Sequence, residues 1–338
     1  MRKRLLLVLW LTGRCNLQCT YCYASENTAA EDMRFETARK ILDTLREYPL
    51  KIQFAGGEPL LNFGLAEQII AYVREQGIDA VFQLQTNGTL IDRTIAAKLK
   101  RYGISTGVSL DGIPSVNRLT RGRTKNALQG IGFLAEQQIT IGLNAVVTAA
   151  NVKELPKLVD FAFYLGNVGG IGLDLLRRAG RGREESRVSA AEPELLAEAL
   201  EAMQRRSLEL EQLSGRKIQI REIEQAKKRL TADGGGGDYC YASCGRSLVV
   251  LPDGALYPCG SLLLGEYRMG TVETFQPRSE DAPAVSVSAQ RAESCTACRY
   301  RPFCPGGCPS RGLRGGGDLD CVLLKTAFAL AEKERDAT

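Results

Sequence analysis

The chain of 338 residues contains no histidine. That absence removes Ser-His-Asp and Cys-His nucleophile systems and zinc sites of mixed Cys/His type, so any general acid or base must be another side chain. Long apolar runs are missing too. The longest near the start, Leu5 to Leu11, is far short of a bilayer span and leads into Thr12, Gly13 and Arg14, with no small-residue cleavage site, so neither a signal peptide nor a membrane segment is expected. A net charge of +5, with no basic tail and no basic stretch interleaved with aromatics, gives no footprint for nucleic acid. What is present in excess is cysteine. Eleven of them, an odd number without an export signal, argue against a disulfide framework and for metal ligation in a reducing cytoplasm.

Between residues 5 and 176, short β-favouring runs alternate with segments of helical period. Six strands are expected, Leu5 to Leu11, Lys51 to Ala55, Val81 to Thr86, Gly107 to Leu110, Gly142 to Val147 and Ile171 to Leu176. Between them lie helices such as Arg34 to Glu47, in which Phe35, Ala38, Ile41, Leu42 and Leu45 make one apolar stripe. Gly64 to Gln76, Arg93 to Lys100, Lys125 to Gln137 and Val152 to Leu165 read the same way. Parallel strands with right-handed helical crossovers predict an α/β fold, a partial (β/α)6 TIM-like barrel with its active site at the strands' C-terminal ends. A basic loop with Arg177, Arg178, Arg181, Arg183 and Arg187 leaves the sixth strand, and a charged helix is expected from Glu192 to Leu213. The glycine run within Asp233 to Asp238 reads as a flexible boundary. The expected divisions are 1–187 for the barrel, 188–233 for a helical linker and 234–338 for a small, irregular cysteine-rich domain ordered largely by metal ligation.

Cys15, Cys19 and Cys22 form CxxxCxxC directly after the first strand. Three thiolates hold three irons of a four-iron cubane and leave the fourth open to a chelating cosubstrate. A zinc knuckle would lack a fourth ligand in this loop. The motif, written Cys15-Asn-Leu-Gln-Cys19-Thr-Tyr-Cys22, resembles that of the radical S-adenosylmethionine (SAM) superfamily, over residues 5 to 176. Gly56, Gly57, Glu58 and Pro59, after the second strand, resemble the family's GGEP segment, which implies a cradle for the methionyl ammonium with Glu58 as acceptor. By the same resemblance Tyr21 packs near the adenine, Ser109 contacts the ribose and Arg121 the methionyl carboxylate. The alternative is that Ser109 and Asp111 cap the next segment while Arg118, Arg121 and Arg123 form a solvated face. Thr86, Asn87 and Gly88 read equally well as a strand-ending turn.

Setting three of the eleven cysteines aside leaves eight, the number two fully ligated four-iron clusters require. Cys244-x9-Gly254-x4-Cys259 and Cys295-x2-Cys298-x5-Cys304-x3-Cys308, followed by Cys321, resemble the SPASM domain. The resemblance implies one cluster on Cys240, Cys244, Cys259 and Cys308 and a second on Cys295, Cys298, Cys304 and Cys321. CxxC spacing suits zinc as well, so two four-cysteine zinc sites, or an electron-transfer or binding module without radical chemistry, are the competing readings. The resemblance implies an enzyme that cleaves SAM to a 5′-deoxyadenosyl radical, abstracts a substrate hydrogen and oxidises or cross-links a peptide or protein. A tetrapyrrole or small cofactor precursor is the alternative substrate, and the basic loop would suit an acidic leader peptide or tetrapyrrole carboxylates. Gly260 follows Cys259 where sulfatase-maturing relatives carry an aspartate, which disfavours a sulfatase. Because the chain begins almost at its first strand, a peptide is expected to bind the barrel itself or to arrive with a separate leader-peptide-binding protein, and a flavodoxin or ferredoxin is the expected reductant.

Overall fold

The fold is seen in a computed structural model, which describes residues 3–26, 31–184, 187–231, 237–289, 292–314 and 317–336. The chain runs β1 (Leu5–Thr12), α1 (Phe35–Thr44), β2 (Leu50–Gly56), α2 (Phe63–Glu75), β3 (Ala80–Thr86), α3 (Arg93–Tyr102) and β4 (Ser105–Ser109). It continues through α4 (Pro114–Thr120), α5 (Thr124–Glu136), β5 (Ile141–Val147), α6 (Leu155–Leu165) and β6 (Val168–Leu175). Next come α7 (Pro193–Ser214), β7 (Gln219–Ile220), α8 (Arg221–Thr231), β8 (Ser247–Val250), β9 (Leu256–Tyr257), α9 (Pro309–Gly312) and α10 (Asp318–Asp336). All six expected strands and their helices are present. One open nine-stranded sheet has the order β7-β6-β5-β4-β3-β2-β1-β8-β9, parallel except between β8 and β9, as a partial TIM barrel requires.

The parity of β1 explains why it lies so deep. Leu5, Leu7, Leu9 and Leu11 enter the main core under the helices, while Val8 and Trp10 join a second cluster with Val249, Leu251 and Leu263. A strand buried on both faces reads as a continuous apolar run, which is why its sequence lacks alternation. Helix α1 ends at Thr44, earlier than expected; Pro49 requires an extended residue before it, and Leu45, fully buried, packs from the turn instead. Helix α3 is held at both ends, by the Asp92 side chain accepting from the Ile95 amide at 2.7 Å and by Gly103 in the left-handed region.

Two features lie across the expected domain divisions. β8 pairs with β1 in parallel, Leu6 opposite Ser247 through Leu9 opposite Val250, so the cysteine-rich region shares the barrel's sheet. Helix α10 inserts Leu323, Ala327, Phe328 and Ala331 into the main core, and so gives regular structure to a region expected to be irregular. Of the glycine run, residues 233–236 lie outside the described residues, as do residues 185–186 of the basic loop. Among the described residues no helix is long and apolar enough to cross a membrane.

Candidate radical SAM site

The loop carrying Cys15, Cys19 and Cys22 is pinned by the ends of several strands. Backbone amides of Gly57 and Glu58 donate to Thr12 and Arg14 carbonyls, both at 2.9 Å. This pairing leaves no room for a side chain at Gly57, where a Cβ would stand 2.5 Å from the Arg14 carbonyl carbon and closer still to its oxygen. Gly56 has φ +134°, a conformation that glycine alone adopts readily. The GGEP glycines therefore permit a close approach of backbone to backbone at the mouth of the cysteine loop.

Glu58 is 1% exposed and its carboxylate ties the end of β2 to the end of β3. Oε1 accepts from Thr86 Oγ1 at 2.6 Å and from the Leu60 amide at 3.2 Å, and Oε2 from the Asn87 amide at 2.8 Å. Burial pushes its carboxyl up to about 7 against the pull of these donors. Thr86 and Asn87, which read equally well as part of a strand-ending turn, are thus two of the three donors to this carboxylate. Asn87 also donates from Nδ2 to Asn16 Oδ1 at 2.8 Å, and Asn16 Nδ2 donates to Thr89 Oγ1 at 2.8 Å, so β3 grips the cysteine loop through the residue that follows Cys15. A polar residue just past the C-terminal end of a barrel strand was the available signal.

Tyr21 is buried, and its hydroxyl donates to Asp111, which is 0% exposed. Asp111 also accepts from Thr120 Oγ1 at 2.7 Å and from the Val146 amide at 3.0 Å, and it pairs with Arg121 Nε at 3.0 Å. The Arg121 guanidinium lies 5.3 Å from the Tyr21 ring centroid, so cation, ring and carboxylate form one closed cluster beneath Cys19. Arg121 is consequently no solvated surface residue, and Asp111 is no helix cap, since the α4 cap residue is Ile113. Ser109 accepts from Gln85 Nε2 at 3.0 Å; Gln85 Oε1 accepts from Asn144 Nδ2 at 2.9 Å, and Asn144 Oδ1 from Arg221 Nη1 at 3.2 Å. This row crosses β3, β4 and β5, and Gly107 leaves the space it occupies, because a Cβ there would stand 2.6 Å from Gln85 Oε1.

Part of the basic loop turns inward. Arg181 donates from Nε to the Cys19 carbonyl at 2.8 Å and from its amide to the Cys22 carbonyl at 3.1 Å. Arg177 pairs with Asp174 at the end of β6 and stacks over Tyr23 at 5.5 Å. These two arginines buttress the cysteine loop, whereas Arg187 pairs with Glu184 at 2.6 Å on the surface.

Cys22 acts electrostatically on Cys15 and Cys19; burial is the largest influence on both of these thiols and lifts Cys19 to about 11. The C-terminal cysteines gather in two groups. Burial raises the thiols of Cys240, Cys244 and Cys259, and the neighbouring Cys308 raises Cys240 and Cys259 further. Separately, Cys295, Cys298, Cys304 and Cys321 line a cavity of about 40 Å³ with Tyr300 and Phe328. Their donor chemistry, three thiols beside an accessible loop and two sets of four, fits one cubane with an open iron and two closed ones. Among the described residues no three Cys, Asp or Glu side chains are arranged to hold a single metal ion.

Comparison with known proteins agrees with this geometry. Residues 11–162 match the model of the radical SAM superfamily. An uncharacterised protein of Methanocaldococcus jannaschii is 40% identical over 181 residues, 51% of this chain and 62% of that one. Fe-coproporphyrin III synthase of Methanosarcina barkeri is 41% identical over 167 residues, 46% of this chain and 40% of the synthase. The chain thus spans less than two thirds of the length of either relative. The structure of native anSMEcpe with bound AdoMet and Cp18Cys peptide superposes with a TM-score of 0.83 at 21% identity, covering 99% of this chain and 98% of that one, which gives the same fold throughout. Residues 11–162, which carry the CxxxCxxC loop pinned at the mouth of a partial barrel, thus form a radical SAM domain within a chain that has the fold of anSMEcpe.

Proposed function

We propose that the chain holds three four-iron four-sulfur clusters, binds SAM at the first, and oxidises or cross-links a peptide or protein substrate. The observation that carries this reading is the division of eleven cysteines into one group of three and two of four. When bound, a cubane with an open iron supplies the electron that breaks a SAM S–C bond and yields a 5′-deoxyadenosyl radical. Cys15, Cys19 and Cys22 would hold that cluster, with Gly56, Gly57 and Glu58 forming the wall against which the methionyl end rests. The Asp111 cluster orients Tyr21 and Arg121 beside it, and Ser109 continues the hydrogen-bonding row that lines the chamber. Peptide amides find acceptors and donors along Gln85, Asn144 and Arg221, and a bound peptide in the similarly folded anSMEcpe supports this substrate class. A flavodoxin or ferredoxin would supply electrons, and a separate leader-peptide-binding protein would deliver a leader-bearing substrate.

A second reading, a tetrapyrrole or small cofactor precursor, is favoured by the likeness to Fe-coproporphyrin III synthase and by Arg221, whose side chain is 43% exposed at the row's end and suits a carboxylate. Gly260, whose Cβ position lies 3.7 Å from Trp10, offers no carboxylate of its own as a base. Oxygen-free protein should contain about twelve irons, four for each cubane, and release 5′-deoxyadenosine with dithionite and SAM. Incubation with candidate peptides and with porphyrinogens then separates the substrates by a mass loss of two hydrogens. A colourless, zinc-loaded protein that leaves SAM intact would falsify the proposal.

A further inference from the structure

Two guanidinium groups lie buried beside the first C-terminal cysteine group. Arg177 follows β6 and Arg311 belongs to α9; their side chains are 15% and 3% exposed. They share one carboxylate, with Arg311 Nη1 donating to Asp174 Oδ1 at 2.8 Å and Arg177 Nη1 to Oδ2. Arg311 also grips Asp320 through Nε at 2.8 Å and Nη2 at 2.5 Å, and donates to the Tyr239 hydroxyl at 2.8 Å. Tyr239 precedes Cys240, Asp320 precedes Cys321, and Arg311 stands three residues after Cys308. The charges reach the sulfurs: Arg177 acts on Cys259 and Cys308, and Arg311 on Cys308.

Adding an electron to a cluster adds one negative charge. Nearby guanidinium favours the reduced state and nearby carboxylate opposes it, and burial leaves both effects weakly screened. We propose that Arg177, Arg311 and Asp174 set how readily the cluster on Cys240, Cys244, Cys259 and Cys308 accepts an electron from the oxidised substrate, an assignment that rests on the iron-sulfur reading above. After hydrogen abstraction, the substrate radical gives up one electron and one proton. The cluster that Cys240, Cys244, Cys259 and Cys308 would hold would take up that electron and pass it to a one-electron acceptor protein of the ferredoxin or flavodoxin class, while the proton goes to solvent. Asp174, 35% exposed at the end of β6, also feels the charge of Arg221 at the end of the hydrogen-bonded row.

The test is a redox titration followed by electron paramagnetic resonance, with Cys321→Ser protein used to identify the signal of the first group. Arg311→Met and Arg177→Met should each make the cluster harder to reduce, on the order of tenfold or about 59 mV for a one-electron couple. Arg311→Lys, which keeps the charge, should restore most of that shift. Asp174→Asn should move the midpoint the opposite way, which a merely structural role would not do. If Arg311→Met fails to hold the cluster, Arg177→Met and Asp174→Asn carry the comparison. Unchanged midpoints, or shifts of one sign in all variants, overturn the proposal. Wild-type protein lacking auxiliary iron in the preceding metal analysis overturns the iron-sulfur reading itself and this assignment with it.

Discussion

Replacing Gly57 by alanine tests whether the cysteine loop owes its position to direct backbone packing. The new Cβ would stand 2.5 Å from the Arg14 carbonyl carbon and 2.9 Å from the Gly13 oxygen, where ordinary contact begins at 3.4 Å. Both obstacles are backbone atoms one and two residues from Cys15, so no rotamer change relieves the overlap and the strand end must retreat by about 1 Å. Overpacking of that kind costs about 1–3 kcal/mol. The larger effect should fall on chemistry, because a displacement of about 1 Å at a reacting centre can cost on the order of 100-fold in rate. Denaturant unfolding is conveniently followed through Trp10, the single tryptophan, buried on β1 close to the site. Gly132→Ala is the control: Gly132 lies inside α5 with nothing within 4 Å of its Cβ position, and the substitution should stabilise by about 0.5–1 kcal/mol with no change in deoxyadenosine release. A Gly57→Ala protein that unfolds at the wild-type midpoint and cleaves SAM at the wild-type rate would refute the reasoning.

Other substitutions probe other parts of the site. Glu58, raised to about 7 by burial, holds its proton more tightly folded than unfolded, so its contribution to stability is complete below about pH 4.5 and is lost as pH rises to 7. The full loss is about 3 kcal/mol, and Glu58→Gln should flatten the decline in unfolding free energy between about pH 4.5 and 7 in protein without SAM. Asp111→Asn strands the Arg121 guanidinium, 10% exposed, and should cost about 3–5 kcal/mol. Adding Arg121→Met to it should recover part of that loss in a double-mutant cycle. Cys321→Ser should remove about four of about twelve irons, while Cys15, Cys19 and Cys22 changed together to alanine should abolish deoxyadenosine formation and leave the other two clusters detectable.

The barrel was legible because its strands are apolar on both faces and its helices carry single stripes, signals that survive without tertiary context. The partner of β1 was not. Ser247 to Val250 is four residues long, lies between Cys244 and Cys259, and gains its meaning only from Leu6 to Leu9, some 240 positions earlier. Helix α10 shows Leu323, Ala327, Phe328 and Ala331 at helical spacing, but it follows a stretch in which cysteines sit among Pro and Gly with little periodicity. The two cysteine ligand sets are implied by the resemblance to the SPASM domain. Charge partners could not be anticipated: Asp111 serves Tyr21, Thr120, Arg121 and Val146 from three separate segments, and Arg311 finds Asp174 137 positions away. Such pairings depend on which loops the sheet brings together, a property no local window contains.

The same topology holds the cysteine loop through groups that lie outside it. Its anchors come from four places: the GGEP amides after β2, Asn87 after β3, the Thr120 carbonyl of α4 accepting from the Thr20 amide at 2.9 Å, and Arg181 after β6. Each hydrogen bond contributes only about 0.5–1.5 kcal/mol, so no single anchor fixes the loop. All four, however, sit at the C-terminal edge of one parallel sheet whose register is set by its buried apolar faces. The loop therefore inherits rigidity from the barrel core rather than from its own residues. Weakening any βα unit should then disturb the geometry of Cys15, Cys19 and Cys22 before it unfolds the chain.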